Sequence, residues 1–547
     1  MDEKIINMTR LTGLDHGVST NHFSKQDFFS IFILLALCLT LFFFRLGDRP
    51  IWDIDEGMHA TTSREMVTSG EWIVTTFNGE PFYDKPAFYN WLVAISFLIF
   101  GFTEFAARLP AAIIGSACVF VTFQLGRRMF NPLTGCLSAV VLATSIEFWV
   151  LSRTIVHDIS LAFFISLALG LFYSGFKAVK GRKIRFFLFY VALGFAVLSK
   201  GPIGVLLPAI IIFMFLILKG KLGFIREMMI GWGVLIFLVV AAPWYTSIAL
   251  KDPEFASYFF IQKNLMTFFS EASRHPEPFY FYLPILLLGF FPWSWLLPYA
   301  VIRPLRWRPG EIADGALFSI LWFGAMLLFF CVSRSKLPTY ILPLFPAMAL
   351  LVGFLCHELL KTPSQRLRKG FLYSYLPIMI ICAMALIYSL IRPPLKWEAE
   401  SGIDMNKLTM VLLWITGVFF AGFFLFLNKY YKAFFSAIVI MAVGAMLFAI
   451  LVIIPNVNPY RSTRAAALKL DQILAEGEKI VFYHRLQNSA LFYTGRKGIV
   501  LDTPEALQNY LGSEKKMFCI IQQKRLQRLK IKPRVFYRQG DRFIITN

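Results

Sequence analysis

About thirteen apolar stretches of near membrane-crossing length fill the chain between residues 29 and 454. A hydrocarbon core about 30 Å thick takes about 20 residues of helix to cross, and lipid offers nothing to an unpaired backbone group. A chain built this way therefore folds as a bundle of spanning helices. The stretches lie at 29–46, 108–126, 133–151, 159–177, 185–199, 201–218, 228–247, 279–300, 315–332, 337–356, 371–391, 408–427 and 433–454. With 16% charged residues and a mean hydropathy of +0.63, the soluble globular class is excluded. The polar first 28 residues, with no cleavage pattern after the apolar run that follows, predict a retained first helix.

The net charge of +21 would suit a nucleic-acid partner if it were gathered on one soluble face. It is sorted by loop instead. Arg127/Arg128, the cluster from Lys177 to Arg185, Lys219/Lys221/Arg226, Arg303/Arg306/Arg308, Lys361 to Lys369 and Lys429/Lys432 give nineteen basic residues against Glu227, Glu311, Asp314 and Glu358. These loops share one side only if the apolar segment 87–102 does not cross, and the positive-inside rule makes that side cytoplasmic. Segment 87–102 is therefore expected to lie in the outer interface. Membrane, not nucleic acid, is the expected partner. None of the seven cysteines offers a disulfide framework or a CxxC metal site.

The opposite, outer side then receives every unusual polar cluster. Residues 47–107 form a first outer loop with interfacial helices, holding Asp48, Asp53, Asp55, Glu56, Glu65, Glu71, Glu80 and Asp84 among Trp52, Trp72, Phe77, Phe82 and Tyr83. A solvated connector carries charge at no cost, but this aromatic mixture suits a folded layer at the membrane surface. Asp53, Asp55 and Glu56 precede a short helical pattern, where a single acid would be an ordinary cap. Asp158 begins a later span on the same side. Two such acids facing one cavity make a general base with an orienting partner.

Cations on the outer side run against the positive-inside bias and need a reason. Arg64, Lys85, Lys200 and the pair Arg334/Lys336 are candidates for an anion at headgroup depth, or for snorkelling and local ion pairs, the bland reading favoured for Arg334. Lys85 and Lys200 have the stronger case, since Pro86 and Pro202 stiffen the chain beside them. His275 is a lone histidine without HxxxH or HExxH spacing, and with Asp84 it would make at most a weak divalent-metal pair. No Walker loop or GxGxxG motif begins a nucleotide fold. The remainder, 456–547, alternates period-2 runs (KIVFYH, GIVLD, MFCIIQ, RFIIT) with helical ones (STRAAALKLDQIL, TPEALQNYL), predicting a small extracytoplasmic α/β domain after a transmembrane domain of residues 1–455.

The blocks IWDIDEGMHATTSREM, EPFYDKPAFYNW, FAARLPAA, the Asp158 segment, LSKGPIG, HPEPFYFYLP with GFFPW, SRSKLPTYILPLFP and YRSTRAAALKL occur in this order over nearly the whole length. Together they resemble the multi-spanning, C-type glycosyltransferases that use a polyprenyl-phosphate sugar, in the branch of the lipid A aminoarabinose transferases and the dolichyl-phosphate-mannose protein mannosyltransferases. The resemblance implies inverting transfer of a sugar, such as 4-amino-4-deoxy-L-arabinose or another pentose or hexose, from undecaprenyl phosphate to lipid A or another envelope lipid or glycan. It implies a site on the outer face of a bacterial inner membrane and no required cofactor beyond that weak metal pair. By position, Asp55 resembles the family's catalytic carboxylate and Asp158 its second acid, Lys85 and Arg64 the pair near the lipid phosphate, and Tyr340 a cavity residue. Lys200 joins the phosphate group in this reading, and Glu56, Tyr83 and His275 join the cavity. Where the family often carries an acid and an arginine before HPEPF, this chain has Asn264 and Thr267. The rival readings are a protein O-mannosyltransferase-like enzyme and a lipid-linked sugar flippase. A flippase would call for charges near the midplane and inverted repeats, which the sequence lacks.

Overall fold

Some of the expected apolar runs stay whole as helices and others break. The computed structural model describes residues 24–256, 258–259, 276–306, 313–391, 402–513, 515–529 and 533–547. Among these, nine helices are long and apolar enough to cross a membrane, including Lys25–Phe43, Glu104–Met129, His157–Phe176, Ile230–Lys251, Pro338–Lys361 and Tyr431–Arg461. They coincide with nine of the expected spans.

The other four expected spans differ in length or continuity. The 133–151 run is interrupted at Thr144 and Ser145 between helices Pro132–Ala143 and Ile146–Leu151. The 279–300 run divides into Tyr282–Gly289 and Leu297–Leu305, with Pro292 and a short 3₁₀ turn between them. Helix Ile203–Leu218 has 16 residues, and Arg182–Lys200 has 19 but carries four basic groups. Hydropathy counts apolar residues, whereas a span also needs an unbroken backbone ladder.

The segment expected as the first outer loop is folded. Helix Asp55–Ser69 stops at Gly70, whose φ of 74° is the left-handed conformation that ends a helix. Strands β1 (Thr76–Phe77) and β2 (Glu80–Pro81) pair across Asn78–Gly79, both at positive φ as a two-residue hairpin turn requires. Helix Phe88–Phe100 follows, and its 13 residues extend about 20 Å, short of a crossing.

The last span continues as helix to Arg461, through the boundary expected near residue 456, and the sheet begins later. Five strands, β3 (Ile480–Tyr483), β4 (Gly498–Leu501), β5 (Phe518–Gln522), β6 (Arg534–Gln539) and β7 (Arg542–Thr546), lie in the order β4-β3-β5-β7-β6. The first three are parallel; β7 is antiparallel to β5, and β6 to β7. Alternation along the strands sends Ile480, Phe482, Phe518, Ile520 and Ile544 to one packed face and Val481, Tyr483, Cys519, Ile521 and Ile545 to the other. Strand β6 and helix Asn488–Thr494 were not among the expected elements. The edge strand RVFYRQ exposes four of its six residues, Arg534, Val535, Phe536 and Arg538, so it shows no alternation of buried and exposed positions.

Candidate active site

The ends of several elements converge on one charged cluster. Asp55 opens helix Asp55–Ser69 with its side chain exposed, and His59 lies one turn later on the same face. Asp84 and Lys85 come from the loop after the hairpin, where the Lys85 ammonium donates to Asp84 Oδ2 at 3.0 Å and to its carbonyl at 3.2 Å. His157 and Asp158 start helix His157–Phe176, Lys200 ends helix Arg182–Lys200, and Tyr340 sits in the 3₁₀ turn Pro338–Leu344. Lys200 donates to Asp158 Oδ1 and stands 3.8 Å from the centre of the Tyr340 ring. The electrostatic neighbours of Tyr340 are Lys85, Asp158, Asp84 and Asp55, and those of His59 are Asp84, Asp55, Lys85 and Asp158. Five of the residues expected from sequence, Asp55, Lys85, Asp158, Lys200 and Tyr340, are thus brought together, with Asp84 beside them.

Burial opposes charge on Lys85, but Asp84 outweighs it and holds the lysine above its ordinary pKa, so the cation is kept. Lysine has three donors, so neither Lys85 nor Lys200 is exhausted by its carboxylate. Both can hold an acid and an incoming anion at once.

Two histidines complete the cluster and were missed by the sequence reading. His59 and His157 are 6% and 2% exposed, and their rings meet edge-to-face at 4.5 Å. Nδ1 of His59 and both ring nitrogens of His157 are buried without a hydrogen-bond partner. Burial pulls His59 below its ordinary pKa, which favours its neutral form at pH 7. The signals were available: His59 stands at i+4 from Asp55, and His157 is next to Asp158.

Three expectations are corrected. The Glu56 carboxylate, expected in the substrate cavity, is a buried structural node. It accepts from Arg108 Nε at 2.8 Å and Nη2 at 2.9 Å, from Arg49 at 2.7 Å and from the Trp52 amide at 2.9 Å. Burial opposes its ionisation, yet Arg108 and Arg49 hold it below the usual carboxylate range. Arg108 in FAARLPAA could have been flagged, because an arginine buried in an apolar helix demands an acid. Arg64, expected with Lys85 at the phosphate, instead points at the C-terminal unit, donating to the Phe492 carbonyl and stacking 4.9 Å over Phe102. The Tyr83 hydroxyl, expected in the cavity, donates to Asp252, and its ring packs on Phe255 at 5.5 Å. Of the expected weak metal pair, His275, like Asn264 and Thr267, lies outside the described residues, and Asp84 faces Lys85. No group of three or more His, Cys, Asp or Glu able to hold a metal occurs among the described residues. Lys336 spends its ammonium on the carbonyls of Glu277 (2.9 Å) and Ser333, a structural use.

Comparison with known proteins places this geometry. The family described as dolichyl-phosphate-mannose-protein mannosyltransferase matches residues 84–246, which contain Lys85, Asp158 and Lys200. The undecaprenyl phosphate-alpha-4-amino-4-deoxy-L-arabinose arabinosyl transferase of Aeromonas hydrophila is 29% identical over 389 residues, 70% of each chain. An uncharacterized protein of Aquifex aeolicus is 30% identical over 65% of this chain and 68% of its own. The crystal structure of ArnT from Cupriavidus metallidurans bound to undecaprenyl phosphate shares the fold, with a TM-score of 0.78 at 22% identity over 94% of this chain and 97% of that one. The archaeal oligosaccharyltransferase AglB of Archaeoglobus fulgidus shares it more loosely, with a TM-score of 0.55 at 12% identity over 91% of this chain and 70% of that one.

Proposed function

The chain belongs to the multi-spanning C-type glycosyltransferases that use polyprenyl-phosphate sugars, and from that membership we propose that it moves a sugar from undecaprenyl phosphate to an envelope lipid at the outer face of the bacterial inner membrane. The sugar and acceptor that the relatives' names favour are 4-amino-4-deoxy-L-arabinose and lipid A. The outer location is supported by the sorting of nineteen basic against four acidic residues to the opposite loops.

The observation that carries the reading is the meeting of Lys85 and Lys200 with Asp55 and Asp158 at one end of the bundle. In the transfer, an acceptor oxygen forms a bond to the anomeric carbon while the bond from that carbon to the phosphate oxygen breaks, its electron pair leaving with the phosphate. The leaving group gains negative charge, which Lys85 and Lys200 stabilise in a site partly closed to water. If the acceptor is a hydroxyl, its proton goes to Asp55 as general base, with Asp158 orienting the acceptor. A phosphate acceptor brings no proton, and Asp55 then orients the sugar. Mass spectrometry of envelope lipids from cells with and without the gene tests the assignment: a sugar-modified lipid should be present only with the gene, and identical lipid profiles would reject it.

A further inference from the structure

The helix that presents Asp55 has no cap of its own. Its N-cap residue is Ile54, which makes no side-chain capping bond, and the Gly57 and Met58 amides donate to the Trp52 and Ile54 carbonyls at 2.9 and 3.0 Å, so the first turn is set by where residues 52–54 are held. Those three residues are held from more than 400 positions away in sequence. Asp53 Oδ1 accepts from the Ser489 amide at 2.7 Å; its Oδ2 accepts from Thr463 Oγ1 at 2.9 Å, Ser489 Oγ at 3.1 Å and Arg542 Nη2 at 3.1 Å. The Asp53 amide donates to the Arg461 carbonyl at 2.8 Å, Asn488 Nδ2 donates to the Ile54 carbonyl at 2.9 Å, and Trp52 Nε1 donates to Asn458 at 3.0 Å. The Asp53–Arg542 pair is 7% and 4% exposed, and Arg542 also holds the Tyr460 carbonyl at 2.7 Å.

Two further contacts extend this grip along the helix. A Cβ on Gly57 would stand 2.7 Å from the Ser489 amide nitrogen, so helix Asn488–Thr494 lies directly on the helix backbone there. Thr61 Oγ1 donates to the Asn488 carbonyl at 3.2 Å. From the membrane side, Arg108 holds Glu56. Asp55 therefore stands between two anchored neighbours, one tied to the C-terminal unit and one to the bundle, with its own side chain outward.

We propose that the C-terminal unit is a positioning element of the active site: Arg542, through Asp53, and Ser489, through Gly57, fix the first turn from which Asp55 reaches the reacting atoms. The proposal rests on the reading of Asp55 given above. Positioning differs from mere stabilisation in what it changes. A carboxylate displaced by about 1 Å costs up to about 100-fold in the chemical step while substrate binding through Lys85 and Lys200 persists.

The test uses the full-length protein in three forms. The Asp53→Asn/Arg542→Met double variant removes both charges together, which spares the fold the cost of one unpaired buried ion. Gly57→Ala pushes Ser489 away without touching a charge, and Arg542→Lys restores the cation. Turnover of a polyprenyl-phosphate sugar is measured with hydrogen exchange on the same samples. The first two variants should lose about 10- to 100-fold in kcat with KM within about twofold, and show faster exchange at 53–61 but not at 157–176; Arg542→Lys should recover part of the loss. Wild-type kcat in the double variant, or exchange unchanged at 53–61 in both, overturns the proposal. Wild-type protein inactive on every such donor would instead reject the functional reading, and the exchange comparison would still decide whether the C-terminal unit holds this turn.

Discussion

Asp158 and Lys200 close on each other from the ends of two different helices, 10% and 8% exposed, beneath the ring of Tyr340. A lysine at this depth is costly unless a carboxylate and an aromatic face share its charge. The pair thus fixes a buried cation, and it couples the helix that carries Asp158 to the one that ends in Lys200.

Breaking that pair from one side should be worse than removing it whole. Asp158→Asn or Lys200→Met alone leaves a buried polar or charged group short of its partner, at a cost of about 3–5 kcal/mol for a fully buried pair. The double variant should melt closer to wild type than the sum of the two single losses, while turnover is lost in every form that lacks Lys200. Melting temperatures of the four proteins in one detergent give the coupling, and strictly additive losses would show that the pair is not a unit.

Lys85 should act on the donor. Its charge is maintained by Asp84 against burial, so Lys85→Ala should weaken use of the lipid-linked sugar by about 10-fold or more while the protein stays folded. A KM series with the same donor checks this. Wild-type kinetics in correctly inserted Lys85→Ala would remove the lysine from the site.

His59 gives the cluster a pH dependence of defined sign. Its folded-state pKa lies below the ordinary histidine value because burial outweighs the pull of Asp84 and Asp55. The unfolded chain then takes up a proton that the folded protein refuses, so the stabilisation is complete above about pH 6.5 and is lost as pH falls below it. His59→Phe keeps a ring against His157 but does not titrate. Its melting temperature should fall less between pH 7.5 and pH 5 than that of the wild type, and parallel curves would show that His59 does not contribute.

What the sequence revealed and what it hid follow from the range of the forces involved. Apolar length is local, so nine spans, the short helix Phe88–Phe100 and the runs that became β3, β4, β5 and β7 were legible. A charge with no local reason to exist is also legible, which is why Lys85, Lys200 and Asp158 stood out. Glu56 and Arg64 were misread because their partners lie far along the chain, at Arg108 and Phe492. A carboxylate in a conspicuous motif looks the same in sequence whether it meets substrate or an arginine. Asp53 and Asp55 make the same point within three residues: one is buried against Arg542, and the other stays exposed.

That contrast makes Asp55→Asn the most discriminating substitution. An amide keeps the shape and much of the hydrogen bonding of a carboxylate but has no basic lone pair at neutral pH. If Asp55 removes the acceptor proton, Asp55→Asn should lose about 100-fold or more in turnover, the scale of a general-base contribution. If it merely begins the helix, losing its charge in the first turn costs only about 0.3–1 kcal/mol of stability and turnover should be nearly unchanged. Because Asp55 is exposed and the turn is held through Asp53 and Glu56, the variant should keep its melting temperature to within that small cost in either case. Asp158→Asn supplies the comparison, with a smaller loss of chemistry expected where the carboxylate orients the acceptor. Turnover of purified variants on a polyprenyl-phosphate sugar, recorded beside their melting curves, separates these outcomes. Full activity in Asp55→Asn would end its assignment as the base, and activity lost only together with stability would make Asp55 part of the scaffold.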